Sequence, residues 1–379
     1  MRADVLVLGA GPAGSAAAAV LARGGARVAL ADRASFPREK VCGDALLPDA
    51  LAALGELGAR VAFDAVAHPV SAIALSAPPT GPVRLAVAGA VLQRGRLDAL
   101  LLEHAVAAGA WFLPGATLER LAFESGRFTA ARLATENGVV DVAAEAIVLA
   151  TGSARGPRRL AGLERRPLRS AAALRGYARI EGAAADELQV AFLDELPGGY
   201  VWAFPYGPGE FNVGCGIFAD SSASSLGAAL HRWTASLGAT FEIAPAGAPL
   251  LTFFPRGAFT RANLAAVGDA AGLTRPLAGE GIGPALASGI ALARALLVSP
   301  GAAGVTAYRR WAVGRWAREW RAWQFGEAVV GHPRLTRSVV AQAARHEGAR
   351  RRCTAVLAGT LAPGRVLSPL GLLRLFLAR

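Results

Sequence analysis

Short apolar runs alternate with helical stretches in the first half of the chain. Residues 4–8 (DVLVL) and 28–31 (VALA) are apolar runs of strand length, and an alanine-rich stretch between them ends near Gly24 and Gly25. A buried strand, a helix and a second buried strand in this order predict a βαβ unit of a parallel sheet. A further apolar run at residues 146–150 predicts another strand beside the first.

A glycine-rich turn, GAGPAG at residues 9–14, joins the first strand to the helix, and Asp32 follows the second strand. This order of strand, glycine turn, helix, strand and acid is typical of dinucleotide-binding sites. Gly9 permits the tight turn, Gly11 lets the backbone approach a pyrophosphate, and Gly14 allows the helix and strand to pack closely. The N-terminus of the helix offers N–H groups and a positive dipole to the phosphates. Asp32 can accept hydrogen bonds from the ribose hydroxyls.

A second strand–turn–helix pattern distinguishes FAD from NAD. An apolar run at residues 264–267 leads into GDAAG, which contains Asp269, and PLAGEGIG follows before a helix predicted at residues 284–297. An acid at the end of a strand can bond a ribityl hydroxyl. The N-terminus of this predicted helix stabilises the negative charge that a reduced flavin carries. Because nicotinamide needs neither feature, the two motifs together favour FAD.

The middle of the chain contains a helix start and a strand rich in aromatic residues. Arg94, at the start of a predicted helix, is placed to reach phosphate or the flavin side chain, and Arg96 is its alternative. In GYVWAFP at residues 199–205, Trp202 and Phe204 alternate with small apolar residues, so both rings lie on one face of a strand. These rings either form the wall of an apolar substrate site or belong to the core.

These elements predict an α/β fold, in which a Rossmann-type FAD-binding domain carries an inserted β-rich substrate lobe and C-terminal helices. We expect the FAD-binding domain at residues 1–160 and 255–300, with residues 61–93 contributing to the substrate lobe. The β-rich substrate domain is expected at residues 161–254 and the C-terminal helical region at residues 301–379.

The C-terminal region is rich in tryptophan and ends in an apolar tail. Trp316, Trp320 and Trp323 are spaced i, i+4 and i+7, so they share one helix face beside several arginines. This face either packs on the main body or forms an interfacial helix at the mouth of a lipid cavity. The tail at residues 366–377 either docks on a membrane surface or closes the substrate tunnel, and it is too short to span a bilayer.

Composition and charge exclude several classes of protein. Apolar residues make up 53% of the chain and charged residues 18%, which excludes a largely disordered protein. The net charge is +12, but no nucleic-acid-reading module accompanies it, so we expect no nucleic-acid partner. The three cysteines have no metal-ligand spacing, which predicts a reducing compartment and no metal site. We therefore expect a cytoplasmic protein, in peripheral contact with the inner face of the membrane through its C-terminal region.

The motifs together resemble the flavoprotein class of p-hydroxybenzoate hydroxylase and, within it, the geranylgeranyl reductase family. The resemblance rests on GAGPAGS with Asp32, FPREKVCG at residues 36–43, Arg94, GYVWAFP, and the segment from GDAAG to PLAGEGIG, and it spans residues 4–300. FPREKVCG and GYVWAFP are the more diagnostic segments. The resemblance implies FAD, with the end of FPREKVCG near the flavin and GYVWAFP lining the substrate cavity. It also implies reduction of C=C bonds in a prenyl or other lipidic substrate by hydride transfer from flavin N5.

The motifs and the resemblance together give the predicted site residues. Cys42 and Tyr200 are the predicted catalytic residues, because a proton must accompany hydride transfer to an isolated alkene and both segments are expected near the flavin. Trp202 and Phe204 are the predicted substrate-lining residues. The predicted cofactor-binding residues are Gly9, Gly11, Ala13, Gly14, Asp32, Arg33, Cys42, Gly43, Arg94, Leu118, Asp269, Gly281 and Ile282.

Two other activities use the same FAD architecture. A flavin-dependent monooxygenase that hydroxylates an aromatic or polyketide substrate stays open as an alternative, because it needs few dedicated side chains. A halogenase is disfavoured, since such enzymes typically have a W-x-W-x-I-P segment and a dedicated lysine, whereas the sole lysine here, Lys40, lies in FPREKVCG. The chain has no second G-x-G-x-x-G, so we expect NAD(P)H or reduced ferredoxin as a transient electron donor.

Overall fold

The computed structural model describes residues 1–164, 170–218, 226–254 and 258–377 of the 379-residue chain. The strands are β1 (Arg2–Leu8), β2 (Val28–Ala31), β3 (Ala45–Leu46), β4 (His68–Val70), β5 (Ala72–Ala77), β6 (Thr80–Leu85), β7 (Gly89–Val91), β8 (Trp111–Leu113), β9 (Thr117–Glu124), β10 (Arg127–Thr135), β11 (Gly138–Leu149), β12 (Ser170–Arg179), β13 (Glu187–Ala191), β14 (Gly199–Gly207), β15 (Glu210–Ile217), β16 (Thr240–Leu251), β17 (Thr260–Arg261) and β18 (Leu264–Ala266). The helices are α1 (Pro12–Arg23), α2 (Pro48–Leu57), α3 (Arg60–Asp64), α4 (Arg94–Ala107), α5 (Arg155–Leu160), α6 (Leu226–Ser236), α7 (Ile282–Val298), α8 (Ala302–Val330), α9 (Pro333–Arg345), α10 (Glu347–Leu357) and α11 (Pro369–Leu377).

The first sheet has the strand order β17-β18-β11-β1-β2-β8, and β10 and β9 extend it from the outer part of β11. β1 lies parallel to both β11 and β2, with Val5 beside Ala146 on one side and Val28 on the other. The strand predicted at residues 28–31 coincides with β2, and the one predicted at residues 146–150 is the end of β11. The βαβ unit predicted from the apolar pattern is therefore confirmed.

Helices α1 and α7, which follow the two glycine motifs, cross at close range over this sheet. A Cβ on Gly289 of α7 would overlap the carbonyl of Ala13 on α1. The N–H of Gly268 donates to the hydroxyl of Ser288 on α7 at 2.9 Å. The N–H of Val267 reaches the carbonyl of Leu149 at 3.1 Å, so the second motif continues directly from a strand of the same sheet. Two motifs more than 250 residues apart thus meet at one sheet edge.

The second sheet has the order β16-β12-β15-β14-β13-β5-β6 and faces the C-terminal helices. It combines strands from residues 170–251 with β5 and β6, which come from the segment at residues 72–85. A third, small sheet pairs β3, β7 and β4. The predicted domain limits stay a prediction, and residues 255–257 at one of them lie outside the described residues.

The C-terminal helices cover the body of the protein. Trp316 and Trp320 on α8 are buried, and their rings pack edge-on against Phe254 at centroid distances of 6.4 and 5.6 Å. The tryptophan face of this helix therefore packs on the main body, which was one of the two alternatives. Helix α9 packs on β5 and β6 of the second sheet. Among the described residues, no helix has both the length and the apolar character needed to cross a bilayer.

Candidate active site

A connected cavity of about 950 Å³ lies between the first sheet, the second sheet and the C-terminal helices. Both glycine motifs contribute to its wall, through Gly9 and Gly11 of the first and Asp269 of the second. The second sheet contributes the aromatic face of β14, and α8 to α11 contribute apolar side chains. One cavity therefore joins the predicted dinucleotide site to the substrate lobe.

The Asp32 carboxylate holds the first glycine turn. The N–H of Ala10 donates to its Oδ2 at 2.7 Å, and the N–H of Ala34 donates to its Oδ1 at 2.9 Å. Gly9 has a φ of +103°, a conformation that glycine adopts without the strain of a side chain. Each carboxylate oxygen retains a further acceptor position, so Asp32 can hold the turn and also accept from a ribose hydroxyl.

Gly11 and Gly14 are required for different reasons. A Cβ at Gly14 would overlap the carbonyl oxygen of Gly9, so this buried glycine is required by packing. A Cβ at Gly11 would instead lie 3.3 Å from Nη2 of Arg38 and 3.8 Å from Nη2 of Arg94. Gly11 thus lines the cavity beside two guanidinium groups.

Asp98 keeps those two guanidinium groups in place. It is fully buried and accepts two hydrogen bonds of 2.7 Å from Nε and Nη2 of Arg94. Arg38 reaches the same carboxylate at 3.1 Å. Two cations and one anion leave a net positive charge beside Gly11, which suits a pyrophosphate group. The alternative residue, Arg96, is exposed.

The second glycine motif presents a carboxylate and a helix N-terminus to the cavity. Oδ1 of Asp269 accepts a hydrogen bond from the hydroxyl of Thr274 at 2.9 Å. Gly281 and Ile282 line the cavity at the start of α7, and their N–H groups precede the intrahelical hydrogen-bond pattern. The Glu280 carboxylate accepts from the N–H of Gly283 at 3.1 Å and so caps the helix.

These residue types match the parts of FAD. Arginines beside an open glycine suit the pyrophosphate, and the carboxylates of buried Asp32 and half-buried Asp269 at two strand ends suit the ribose and ribityl hydroxyls. The N–H groups at the start of α7, which precede the intrahelical hydrogen bonds and line the cavity, suit the electron-rich edge of a flavin pyrimidine ring. The described residues therefore fit the cofactor that the sequence predicts.

Cys42 lies on the wall between the two lobes. Its backbone carbonyl accepts hydrogen bonds from Nδ2 of Asn212 at 2.8 Å and from Nε of Arg175 at 3.1 Å. Its Sγ accepts from the N–H of Asp44 at 3.4 Å. Burial raises the pKa of the Cys42 thiol, so the thiol keeps its proton at neutral pH. The second sheet thus fixes the backbone of this segment.

Asp44 is a fully buried carboxyl group two residues further on. Its Oδ2 accepts from the hydroxyl of Tyr177 at 2.6 Å and from Nδ2 of Asn212 at 2.7 Å. Burial raises the pKa of Asp44 to about 6, although Tyr177, Arg175 and Asn212 all favour its ionised form. The interface between the two lobes therefore contains a carboxyl group, that of Asp44, with a pKa close to neutral pH.

Three aromatic residues of β14 form a wall on one face of the strand. The rings of Tyr200 and Trp202, and those of Trp202 and Phe204, have centroids 6.0 Å apart. All three line the cavity. The indole N–H of Trp202 donates to Oδ1 of Asn212 at 2.9 Å, and the Tyr200 hydroxyl donates to the carbonyl of Ala278 at 2.6 Å. These polar atoms are thereby satisfied, and the rings present apolar surface to the cavity.

Beyond this wall the cavity is lined by apolar side chains of the second sheet and the C-terminal helices. These side chains include Leu75, Val190, Val339, Val340, Leu357 and Leu367. They come from β5, β13, α9, α10 and the segment before α11. This part of the cavity suits a flexible hydrocarbon chain.

The structure brings the predicted residues together around one cavity. Those that line it are Gly9, Gly11, Ala13, Asp32, Arg33, Cys42, Gly43, Arg94, Leu118, Tyr200, Trp202, Phe204, Asp269, Gly281 and Ile282. Their individual roles stay predictions. Sequence reasoning missed Arg38, Asp98, Asp44 and Asn212. Asp98 lies four residues after Arg94 on a predicted helix, and this spacing indicates that the two side chains can form an ion pair. No local pattern in the sequence marks Asn212 as a site residue.

The comparisons with known proteins agree with this arrangement. The family described as pyridine nucleotide-disulphide oxidoreductase matches residues 3–183. Menaquinone reductase from Mycolicibacterium smegmatis is 34% identical over 330 residues, which cover 81% of this chain and 78% of the relative. Digeranylgeranylglycerophospholipid reductase 1 from Methanopyrus kandleri is 32% identical over 307 residues, which cover 76% of this chain and 79% of the relative.

A solved structure shares the whole fold. A geranylgeranyl bacteriochlorophyll reductase-like protein from Thermoplasma acidophilum superposes with a TM-score of 0.81 at 22% identity, covering 99% of this chain and 95% of that protein. The predicted α/β fold of the p-hydroxybenzoate hydroxylase type is thereby confirmed. Together with the two relatives, these findings show that the chain belongs to the geranylgeranyl reductase family of FAD-dependent oxidoreductases.

Proposed function

We propose that this protein reduces C=C bonds in the prenyl chain of a lipid, with FAD supplying the hydride from N5. The observation that carries the proposal is the continuity of the cavity, which joins residues suited to FAD to an apolar arm. Burying a prenyl chain there is favourable at about 25 cal/mol per Å² of apolar surface. The two relatives are named for reducing menaquinone and digeranylgeranylglycerophospholipid, both of which carry prenyl chains.

The chain must also supply a proton, because an isolated alkene is a poor hydride acceptor. Of the two predicted catalytic residues, Cys42 is the better donor, since its thiol is protonated and lines the cavity. The Tyr200 hydroxyl already donates its proton to the carbonyl of Ala278 at 2.6 Å. We assign Tyr200 to positioning the loop before α7 against the aromatic wall.

The electron donor and the division into lobes complete the proposal. NAD(P)H or reduced ferredoxin supplies electrons in a transient encounter, because the chain has no second nucleotide-binding glycine motif. Residues 1–160 and 255–300 form the FAD-binding domain, and residues 161–254 with part of 61–93 form the substrate lobe. The aromatic wall and the C-terminal helices exclude water from the apolar arm.

A comparison with and without oxygen tests the reaction. The FAD-loaded protein is reduced with dithionite under anaerobic conditions and given detergent-solubilised menaquinone or geranylgeranyl glycerophospholipid. After any quinol has been reoxidised to the quinone in air, we expect products heavier by two hydrogens for each double bond reduced, as measured by mass spectrometry. The exposed Arg96→Ala variant serves as a control for a basic residue beside the site.

Two outcomes would overturn the proposal. One is the absence of any saturated product from a protein that holds stoichiometric FAD. The other is an oxygen-dependent gain of one oxygen atom on an aromatic or polyketide substrate, which would identify the monooxygenase alternative.

A further inference from the structure

The positive charge of this chain is concentrated in its C-terminal helices. Residues 301–379 contain 14 arginines and three glutamates, and so carry +11 of the total net charge of +12. The first 300 residues are almost neutral, with 26 basic and 25 acidic residues. A positive electrostatic field that is concentrated in one region attracts an extended anionic surface. This attraction reaches over roughly one Debye length.

The glutamates of this region do not neutralise its outer surface. Glu319 is engaged by both Arg275 and Arg315, and Glu347 by Arg351. Glu327 is buried. Most of the positive charge of these arginines is therefore not cancelled by the glutamates of the region.

Helix α11 presents an apolar face to solvent. Leu370, Leu373, Phe376 and Leu377 are exposed by 55%, 56%, 41% and 71%. At 100° per residue, these side chains and Arg374 fall within an arc of about 160° on the helix surface. Gly371 and Leu375 on the opposite side are buried. Large apolar side chains in such an arc, accompanied by arginine, are typical of helices that lie in a membrane interface.

Basic residues flank this face. Arg374 lies within the exposed arc and Arg365 lies just before the helix, and both are exposed. In the part of the chain that the structure describes, neither forms an ion pair. Arg345, at the end of α9, is also exposed. It lies one turn after Gln342, and the side-chain amide of Gln342 donates to the carbonyl of Phe376 on α11 at 3.1 Å.

The inner side of the same segment belongs to the cavity. Val366, Leu367 and Leu372 line the apolar arm, whereas Leu373 beside them points to solvent. The segment is thus a thin partition with the cavity on one side and the exposed apolar face on the other. A lipid that leaves a bilayer at this face needs to pass only this partition to reach the apolar arm.

We propose that α11 and the adjoining arginines dock the protein on an anionic lipid bilayer, with Leu370, Leu373, Phe376 and Leu377 inserted among the acyl chains. The charge complementarity between the arginine-rich region and anionic headgroups selects this occupant. Docking itself is independent of the proposed reduction. Only the direction of lipid entry rests on the proposed function.

Vesicle flotation of the full-length, FAD-loaded protein tests the proposal. The vesicles are phosphatidylcholine alone, or phosphatidylcholine with phosphatidylglycerol at about one third of the lipid. We expect at least about tenfold tighter binding to the anionic vesicles, and weaker binding as salt is raised. The double variant Leu373→Asp/Phe376→Asp should lose at least about tenfold in affinity. The double variant Val61→Asp/Val298→Asp, which places the same two charges on apolar residues that are each 84% exposed on α3 and α7, is the matched control.

Three results would overturn the proposal. They are equal binding of the double variant and the wild type, equal binding to neutral and anionic vesicles, and a wild-type dimer in sedimentation velocity that the double variant abolishes. The last result would assign the face to a second copy of the chain. Flavin content and the melting temperature show that each variant is folded. Reduction of detergent-solubilised lipid, measured in parallel, separates a failure of docking from a failure of the proposed function.

Discussion

The hydroxyl of Tyr177 donates a 2.6 Å hydrogen bond to Oδ2 of Asp44 and so joins the second sheet to the Cys42 segment. Asn212 donates to the same oxygen and accepts from the indole N–H of Trp202. A buried carboxyl, an amide and the aromatic wall therefore form one hydrogen-bonded chain. The charge on Asp44 acts on the backbone near the predicted flavin position and on the wall of the apolar arm.

Asp44→Asn should remove a pH dependence of stability. Burial raises the pKa of Asp44 from 3.8 to about 6 in the folded protein, so the folded state binds the proton more tightly than the unfolded state. The resulting stabilisation is complete below the unfolded pKa and is lost as the pH rises through the folded one. A shift of this size corresponds to about 3 kcal/mol.

Urea unfolding at a series of pH values measures this effect. Between about pH 4 and 7, the free energy of unfolding of the wild type should fall by about that amount relative to the variant. Parallel pH profiles would mean that Asp44 titrates equally in the folded and unfolded chains.

Gly11→Ala and Gly14→Ala should separate cofactor binding from folding. The Cβ at Gly11 meets the end of the flexible Arg38 side chain, so the fold tolerates it, but it lies where a pyrophosphate must approach. We expect an affinity for FAD at least about tenfold lower with little change in melting temperature. The Cβ at Gly14 meets the backbone of Gly9, so this variant should lose stability instead. Wild-type FAD retention by Gly11→Ala after gel filtration would place the pyrophosphate elsewhere.

Local patterns in the sequence were sufficient to predict the strands and the helix that surround the first glycine motif. The apolar runs of β1 and β2 enclose the glycine turn, and Asp32 follows directly, so strand, turn, helix and acid all lie within about thirty residues. The alternation of Trp202 and Phe204 likewise fixed their common face, because side chains on a strand repeat every two residues.

The network around Asp44 was beyond such reasoning. Asn212 is 168 residues away in the chain, and its contact with Asp44 depends on how β15 lies against the Cys42 segment. Nothing within either local sequence records that juxtaposition. Most residues that line the apolar arm were missed for the same reason, since they come together only where α9 and α10 pack on the second sheet.

Cys42→Ala should slow reduction of the prenyl chain by at least about 100-fold without loss of FAD, because a positioned acid contributes at least that factor. Tyr200→Phe loses only the hydrogen bond to Ala278 and should cost less than about tenfold. Single-turnover oxidation of the reduced flavin under anaerobic conditions measures both rates.

The pH profile of the same rate gives a second test. Burial raises the pKa of the Cys42 thiol above its ordinary 9.0, so the wild-type rate should be constant through neutral pH and fall only at higher pH. A larger loss for Tyr200→Phe than for Cys42→Ala would transfer the role of proton donor to the tyrosine.

Arg158→Met should destabilise the protein through the second glycine turn. This fully buried guanidinium donates to the carbonyl of Ala270 within that turn and to the carbonyl of Ala258 at 3.0 Å. Methionine fills a similar volume but leaves the buried carbonyl of Ala270 unpaired, which should lower the free energy of unfolding by about 1–3 kcal/mol. Exposed Arg159, the next residue, provides the control, because Arg159→Met should change stability by less than about 0.5 kcal/mol. Urea unfolding with and without FAD measures both variants. Equal stability of the two variants would mean that the cost of removing Arg158 from water cancels the stabilisation from its hydrogen bonds. The turn would then be held by its packing against α7 alone.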